Sequence, residues 1–155
     1  MVDNDVVLPK NALRLLLEDR VDVCLGYYAH RGEKNEYSGR NNVCRYLNPN
    51  EYNFPYRGYP FESEYTTQEL EAMKAKGEKK IRIHGGGMGC ALIRVGLFDD
   101  LEFPWFDWVN KPDQNAEMLS EDLFFCERCV QAHVPVYTDV RVGCGHIMRK
   151  VQWPE

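Results

Sequence analysis

The first thirty residues alternate between strand-like and helix-like patterns, and this order restricts the fold more than any other feature of the chain. An apolar run over residues 2–8 predicts a strand, and Pro9 suits the first turn of a helix that extends to about Asp19. Residues 21–29 are almost all apolar and predict a second, mostly buried strand. The helical residues expected to share one buried face are Leu13, Leu16 and Leu17. This order predicts an α/β fold in which helices flank a mixed, mainly parallel sheet.

The remaining elements follow the same alternation. Thr66 and Glu69 have the spacing of a capping box and open a helix predicted to end at about residue 76. Residues 32–64 are rich in Asn, Gly, Pro, Arg and Tyr and predict a long surface excursion. The other elements predicted from periodicity are strands over residues 80–84, 90–95 and 136–142 and a helix over residues 120–133.

Composition and charge restrict the class of protein. With 44% hydrophobic and 12% aromatic residues, the chain suits one compact domain over residues 1–155. The net charge of −5 argues against non-specific nucleic-acid binding, which requires a basic surface. No apolar stretch reaches membrane-spanning length, and Asp3, Asp5 and Lys10 are incompatible with a secretory signal. We therefore expect a soluble cytoplasmic protein whose six cysteines are reduced.

Two carboxylates, of Asp3 and Asp5, lie one residue apart at the end of the first predicted strand. Side chains alternate along a strand, so both carboxylates would point roughly the same way. They would repel each other, and any nearby phosphate, unless a divalent cation lay between them. The pair therefore suits a metal–diphosphate complex, although Asp-x-Asp is also common in turns and at solvated strand ends.

Glu121 and Asp122 follow Ser120 in the first turn of the helix predicted over residues 120–133. The exposed N–H groups and the dipole at a helix start stabilise a negative charge by roughly 0.3–1 kcal/mol. Two interpretations remain open. One is an ordinary capped helix start, which the pattern alone favours, and the other is an ionised carboxylate that serves as a general base.

The glycine cluster over residues 85–89 lies between two apolar runs and lacks the spacing of a dinucleotide-binding loop. Consecutive glycines either allow another group to approach the backbone closely or form a tight turn. The pattern supports substrate contact and turn geometry equally.

Cysteines and histidines near the carboxyl end allow two metal hypotheses. Cys126, Cys129 and His133 have the spacing of one helical face, which favours core packing over a zinc site. His146 follows a predicted strand and two glycines, so we expect it at a sheet end. One imidazole nitrogen and two Asp oxygens would suit Mn²⁺ or Mg²⁺, with diphosphate oxygens completing the coordination.

Taken in order, these segments resemble the C-terminal two-thirds of a GT-A glycosyltransferase and are most similar to bacterial or phage-type family 2 enzymes. The resemblance covers nearly the whole chain apart from residues 32–64. The matching segments are Val2 to Pro9, Gly85 to Arg94, Phe103 to Phe106, Ser120 to Cys126, and Gly143 to His146.

The resemblance implies a role for each matched residue. Asp3 and Asp5 match the motif for the metal and the nucleotide-sugar, and His146 matches a further metal ligand. Asp122 matches the catalytic base of inverting members, and Glu121 a position that contacts the acceptor or orients the site. The residues that match the sugar and acceptor pocket are Gly86, Gly87, Met88, Gly89 and Trp105.

The implied reaction is a single displacement at the anomeric carbon of a nucleotide-sugar. Asp122 would remove the proton of the acceptor hydroxyl, while Mn²⁺ or Mg²⁺ neutralises the departing nucleoside diphosphate. The acceptor would be a carbohydrate or another hydroxyl compound.

In this family, the strand–helix units that hold the base and ribose precede the Asp-x-Asp strand. The resemblance therefore implies a partial GT-A fold without that N-terminal part. It also implies a partner chain that supplies the part, or a homo-oligomer formed through an exposed sheet edge. An alternative function is a non-enzymatic carbohydrate-binding or assembly module of the same fold. A third is a small zinc protein that uses the cysteines and histidines over residues 126–146.

Overall fold

The computed structural model describes residues 1–30, 40–46, 64–109 and 119–147. Its helices are α1 (Ala12–Glu18), α2 (Thr67–Ala75), α3 (Leu97–Asp100) and α4 (Glu121–Gln131). Its strands are β1 (Val6–Val7), β2 (Val23–Tyr27), β3 (Arg40–Arg45), β4 (Glu64–Thr66), β5 (Lys80–Gly86), β6 (Ala91–Ile93), β7 (Val136–Gly143) and β8 (Gly145–His146).

The prediction of an α/β fold with a mixed sheet is confirmed, but the expectation of mainly parallel pairing is wrong. Six strands form one sheet in the order β4-β3-β5-β7-β2-β6. Within this described sheet only β2 and β7 pair in parallel, and the other four neighbouring pairs are antiparallel. The parallel expectation came from the order β1–α1–β2. The two strands of that unit do not share a sheet, because β1 pairs with β8 instead.

Strand β3 lies inside the segment that the sequence predicted as an irregular excursion. Residues 32–39 and 47–63 of that segment lie outside the described residues. The sequence gives little sign of β3 because Asn residues occupy two of its four buried positions. The side chains of Asn41 and Asn42 are buried and donate to backbone oxygens of Tyr65 and Gly87, respectively. These hydrogen bonds allow the polar side chains to be buried. A search for alternating apolar residues therefore does not detect this strand.

Helices cover both faces of the six-stranded sheet. Alternate residues of β2 point to opposite faces. Leu25 belongs to one buried cluster with Leu70 of α2 and Phe125 of α4. Cys24 belongs to a second cluster with Leu15 of α1. Helix α1 therefore lies on one face of the sheet, and α2 and α4 lie on the other.

Helix α1 buries a different stripe from the one predicted. Ala12, Leu15 and Leu16 are buried, whereas the side chains of Leu13 and Leu17 are 62% and 57% exposed. Both stripes have the spacing i, i+3, i+4, so periodicity alone cannot select between them.

Helix α2 begins at the predicted capping box. The Thr66 hydroxyl accepts the Glu69 N–H at 3.3 Å, and the Glu69 carboxylate accepts the Thr66 N–H at 2.9 Å. Among the described residues, no helix combines the length and the apolar character needed to cross a membrane.

Candidate functional site

Several of the predicted site residues converge on Tyr28, which directly follows β2. The Tyr28 hydroxyl accepts the Gly89 N–H at 3.1 Å. The His146 ring meets the Tyr28 ring edge-on, with 5.0 Å between centroids. Burial raises the pKa of Tyr28 to about 12, and the nearby charges of Asp122 and Asp3 add to this rise. Tyr28 is therefore the side chain that these segments share, although no motif in the sequence identifies it.

Asn42 holds the glycine segment against the end of β2. Its side-chain oxygen accepts the Tyr28 N–H at 2.8 Å, and its side-chain nitrogen donates to the Gly87 oxygen at 2.8 Å. The Gly87 N–H donates in turn to the Asn42 backbone oxygen at 2.9 Å. One buried amide thus fixes two segments of the site. Asn42 lies in a polar, aperiodic stretch, where the sequence gives no sign of this role.

The glycine segment is not a hairpin turn, so that interpretation is wrong. Strand β5 continues through Gly86, and β7 and β2 separate it from β6 in the sheet. A β-carbon at Gly86 would lie 2.6 Å from the Asn42 backbone oxygen, and one at Gly89 would lie 2.9 Å from the Tyr28 hydroxyl. Glycine is required because groups of the protein itself approach the backbone this closely. Substrate contact by Gly86, Gly87, Met88 and Gly89 stays a prediction.

Asp122 lies in the first turn of α4 and faces the glycine segment. Its Oδ2 atom accepts the Met88 N–H at 2.9 Å. Burial raises the pKa of Asp122. The Met88 N–H opposes this rise, and the charges of Glu121 and Asp3 add to it. The desolvation that a general base requires is therefore present at this carboxylate.

Glu121, beside Asp122, has one oxygen with no protein donor in the described part of the chain. This oxygen, Oε2, is buried there without a hydrogen-bond partner. Ser120 has the extended backbone of an N-cap residue, but its side chain makes no capping hydrogen bond in the described structure. Ser120 therefore has the backbone conformation of an N-cap residue. Capping does not explain why an oxygen of Glu121 is buried without a partner among the described residues.

Asp3 and Asp5 lie around a turn rather than along one strand, because β1 begins only after them. The Asp3 N–H donates to the Gly89 oxygen at 3.0 Å, and the Asp3 charge acts on Asp122. The Asp5 Oδ2 atom lies 3.9 Å from the His146 Nε2 atom. The two aspartates thus have different neighbours, and the turn replaces the extended strand from which their common direction was predicted.

His146 has the hydrogen-bond arrangement that is common in metal-ligating histidines. Its Nδ1 atom lies 2.8 Å from the Ala29 oxygen. A carbonyl oxygen only accepts, so Nδ1 carries the proton and Nε2 is the nitrogen nearer Asp5. Metal-binding histidines usually donate their other ring N–H in this way. However, no three His, Cys, Asp or Glu side chains of the described residues form a group that could hold a metal ion.

Trp105 lies apart from the residues around Tyr28. Its indole N–H donates to the Leu101 oxygen at 3.3 Å, and its ring contacts those of Phe98 and Phe103. No hydrogen bond or ring contact among the described residues joins Trp105 to Tyr28. Trp105 does pack against the buried cluster that contains Met88.

Cys126 and Cys129 are fully buried in the main core, which confirms core packing as their role. Burial raises the pKa of Cys126 to about 12 and so disfavours the thiolate that zinc requires. His133 lies beyond the end of α4 with a positive φ of 58° and an exposed side chain. These three residues do not form a zinc site.

No protein-family model and no curated protein matched this sequence. The functional assignment therefore depends on the geometry and chemistry around Tyr28.

Proposed function

We propose that this chain is a metal-dependent glycosyltransferase, or the catalytic and acceptor-binding half of one. It transfers a sugar from a nucleotide-diphosphate sugar to an acceptor hydroxyl, with inversion at the anomeric carbon. The observation that carries the proposal is the convergence of Asp3, Asp122 and His146 on Tyr28. These residues come from segments far apart in the sequence, and their chemistry matches the steps of sugar transfer.

Asp122 acts as the general base. The Met88 N–H holds Oδ2 of this carboxylate, so Oδ1 is the oxygen that would accept the proton of the acceptor hydroxyl. Partial burial raises the proton affinity of Asp122 above that of a solvated carboxylate. A base with a raised pKa removes a hydroxyl proton more effectively as the new glycosidic bond forms.

Glu121 orients the acceptor. Its buried Oε2 atom has no donor among the described residues, and an unsatisfied buried carboxylate oxygen is costly. A second hydroxyl of a carbohydrate acceptor would supply the missing hydrogen bond.

Asp5 and His146 would hold Mn²⁺ or Mg²⁺ as an adjacent pair, with diphosphate oxygens of the donor completing the coordination, whereas Asp3 forms no three-ligand group with them among the described residues. The ligand atoms are of suitable types, because carboxylate oxygens and an imidazole nitrogen bind these ions. Of these side chains, only those of Asp5 and His146 are adjacent. The bound ion would neutralise charge on the leaving diphosphate. The Ala29 oxygen fixes the His146 ring so that Nε2 faces Asp5.

We infer that the chain associates with a partner chain or with a second copy of itself. The exposed side chains of Leu13 and Leu17 on α1 supply an apolar face for such a contact.

The direct test is Mn²⁺-dependent release of nucleoside diphosphate from a panel of nucleotide-sugars, with carbohydrate acceptors. We expect Asp122→Asn to lower the transfer rate by about 10²–10⁴-fold. The control Glu78→Gln, which makes the same kind of change at an exposed residue, should leave the rate unchanged. Equal rates in the wild type and Asp122→Asn would refute the assignment of the base.

A non-enzymatic carbohydrate-binding or assembly module is the second candidate. The lack of a three-ligand metal group among the described residues favours it. Glycan-array binding that persists in Asp5→Asn and Asp122→Asn, with no transfer by the wild type, would select this function.

A further inference from the structure

Two cysteine side chains meet over Gly26 of β2, and the proposed function does not use them. The Gly26 N–H donates to the Cys90 oxygen at 2.8 Å, and the Cys144 N–H donates to the Tyr27 oxygen at 2.8 Å. The two cysteines therefore flank β2 on opposite sides. A β-carbon at Gly26 would lie 2.8 Å from Cys90 Sγ and 3.1 Å from Cys144 Sγ.

The missing side chain of Gly26 creates the space in which the two thiols meet. Both sulfurs lie beside the position that a Gly26 β-carbon would occupy, and the Cys144 thiol donates to the Val142 oxygen at 3.8 Å. Cys90 is buried, and Cys144 is partly exposed.

Strand spacing disfavours a disulfide between these thiols. Neighbouring strands lie about 4.8 Å apart, so Cα atoms on the two sides of β2 are about 9–10 Å apart. A disulfide requires a Cα–Cα distance of about 4.4–6.8 Å. A bridging ion needs much less movement, because metal–thiolate bonds of about 2.3 Å place the two sulfurs about 4–5 Å apart.

The number of donors indicates the kind of ion. Thiolates select soft ions, chiefly Cu(I) and Zn²⁺. A structural zinc ion requires four ligands, and the described residues contain no group of even three His, Cys, Asp or Glu side chains. Two thiolates without further donors suit the linear, two-coordinate geometry of a monovalent d¹⁰ ion.

We propose that Cys90 and Cys144 form a two-thiolate binding site for a soft monovalent cation, namely Cu(I). Two S–H bonds break and two S–Cu bonds form, two protons go to solvent, and neither copper nor sulfur changes its oxidation state. Cys90 directly follows Gly89, which accepts the Asp3 N–H, and Cys144 directly precedes β8 with His146. The bound ion therefore links the segments that carry Asp3 and His146. The site is independent of the proposed sugar transfer.

The test is an anaerobic titration of the reduced protein with Cu(I) against a chromophoric Cu(I) chelator. We expect the wild type to withdraw one Cu(I) per chain, and Cys90→Ser and Cys144→Ser to bind it at least about 100-fold more weakly. Cys129→Ala is the control, because it removes a thiol from the opposite face of the sheet and should bind as the wild type does. Wild-type affinity in both serine variants, or equal loss in Cys129→Ala, would overturn the site.

Two further measurements keep the test decisive if a serine variant fails to fold. X-ray absorption of the copper-loaded wild type should show two sulfur neighbours and no nitrogen or oxygen neighbour. Three or more sulfurs, or a nitrogen or oxygen ligand, would contradict the two-thiolate site. Gly26→Ala keeps both thiols and places a methyl group between them, so it should also lose Cu(I).

Discussion

The Asp122 carboxylate accepts the backbone N–H of Met88 at 2.9 Å and so joins the start of α4 to the glycine segment. This contact opposes the effect of burial on the pKa of Asp122, and burial is the larger effect. The net rise in pKa makes the proposed base more basic, and it also makes the ionised group unfavourable for folding.

Asp122→Asn should therefore stabilise the fold near neutral pH. A carboxyl group whose pKa is raised by folding contributes stability below its unfolded pKa, near 3.9, and loses it as the pH rises through the folded value. Asparagine does not ionise, and its side-chain oxygen can still accept the Met88 N–H. We expect similar free energies of unfolding at about pH 4 and a gain of about 0.5–2 kcal/mol at pH 7, measured by urea denaturation. A less stable variant at pH 7 would contradict the direction of the pKa change.

Asp5→Asn and His146→Gln should each weaken Mn²⁺ binding by at least about tenfold, because each removes one donor of an adjacent pair. Isothermal titration calorimetry with Mn²⁺ alone measures this effect. Asp107→Asn, a change at an exposed carboxylate, should bind as the wild type does. Unchanged affinity in both site variants would place the ion elsewhere.

Tyr28→Phe should lower the free energy of unfolding by about 1–3 kcal/mol, since it leaves the Gly89 N–H without its buried acceptor. Urea denaturation measures the loss. The matched control is Tyr137→Phe, which keeps the ring beside Lys80 and should change stability by less than about 0.5 kcal/mol. Equal effects of the two substitutions would mean that the Tyr28 hydroxyl has no special role in stability.

Glu127→Gln should flatten the dependence of stability on pH. The Glu127 Oε1 atom lies 3.0 Å from His84 Nε2 in the core, and burial raises the pKa of Glu127 to about 8. The wild type should therefore lose stability as the pH rises from about 4.5 through about 8, whereas glutamine does not titrate. At pH 9 the variant should exceed the wild type by more than about 1.4 kcal/mol, the equivalent of one pKa unit. Parallel stability curves between pH 5 and pH 9 would refute the raised pKa.

Local signals in the sequence were sufficient for several elements. The spacing of Thr66 and Glu69 correctly located the start of α2, because a capping box is a contact between neighbours. Local signals do not determine which strands pair with each other. Strand β1 joins β8 from the other end of the described chain, and only tertiary contacts select that partner.

Sequence patterns likewise indicate some residues of the candidate site and miss others. Asp122 and His146 were identified from their motifs, and the structure brings both near Tyr28. The pattern predicts Tyr28 only as one apolar residue of a buried strand, and Asn42 as part of a polar loop. A side chain that connects two backbone segments has no sequence pattern of its own, since its partners are distant in the chain.

The β1–β8 ladder consists of two residue pairs, Val6 with His146 and Val7 with Gly145. A ladder this short opens at a far lower free energy than the central sheet, so its amide hydrogens should exchange with deuterium much sooner than those of β2. His146 belongs to this short ladder, and Asp5 directly precedes it. The contact between these two side chains can therefore open and reclose while the rest of the molecule stays folded.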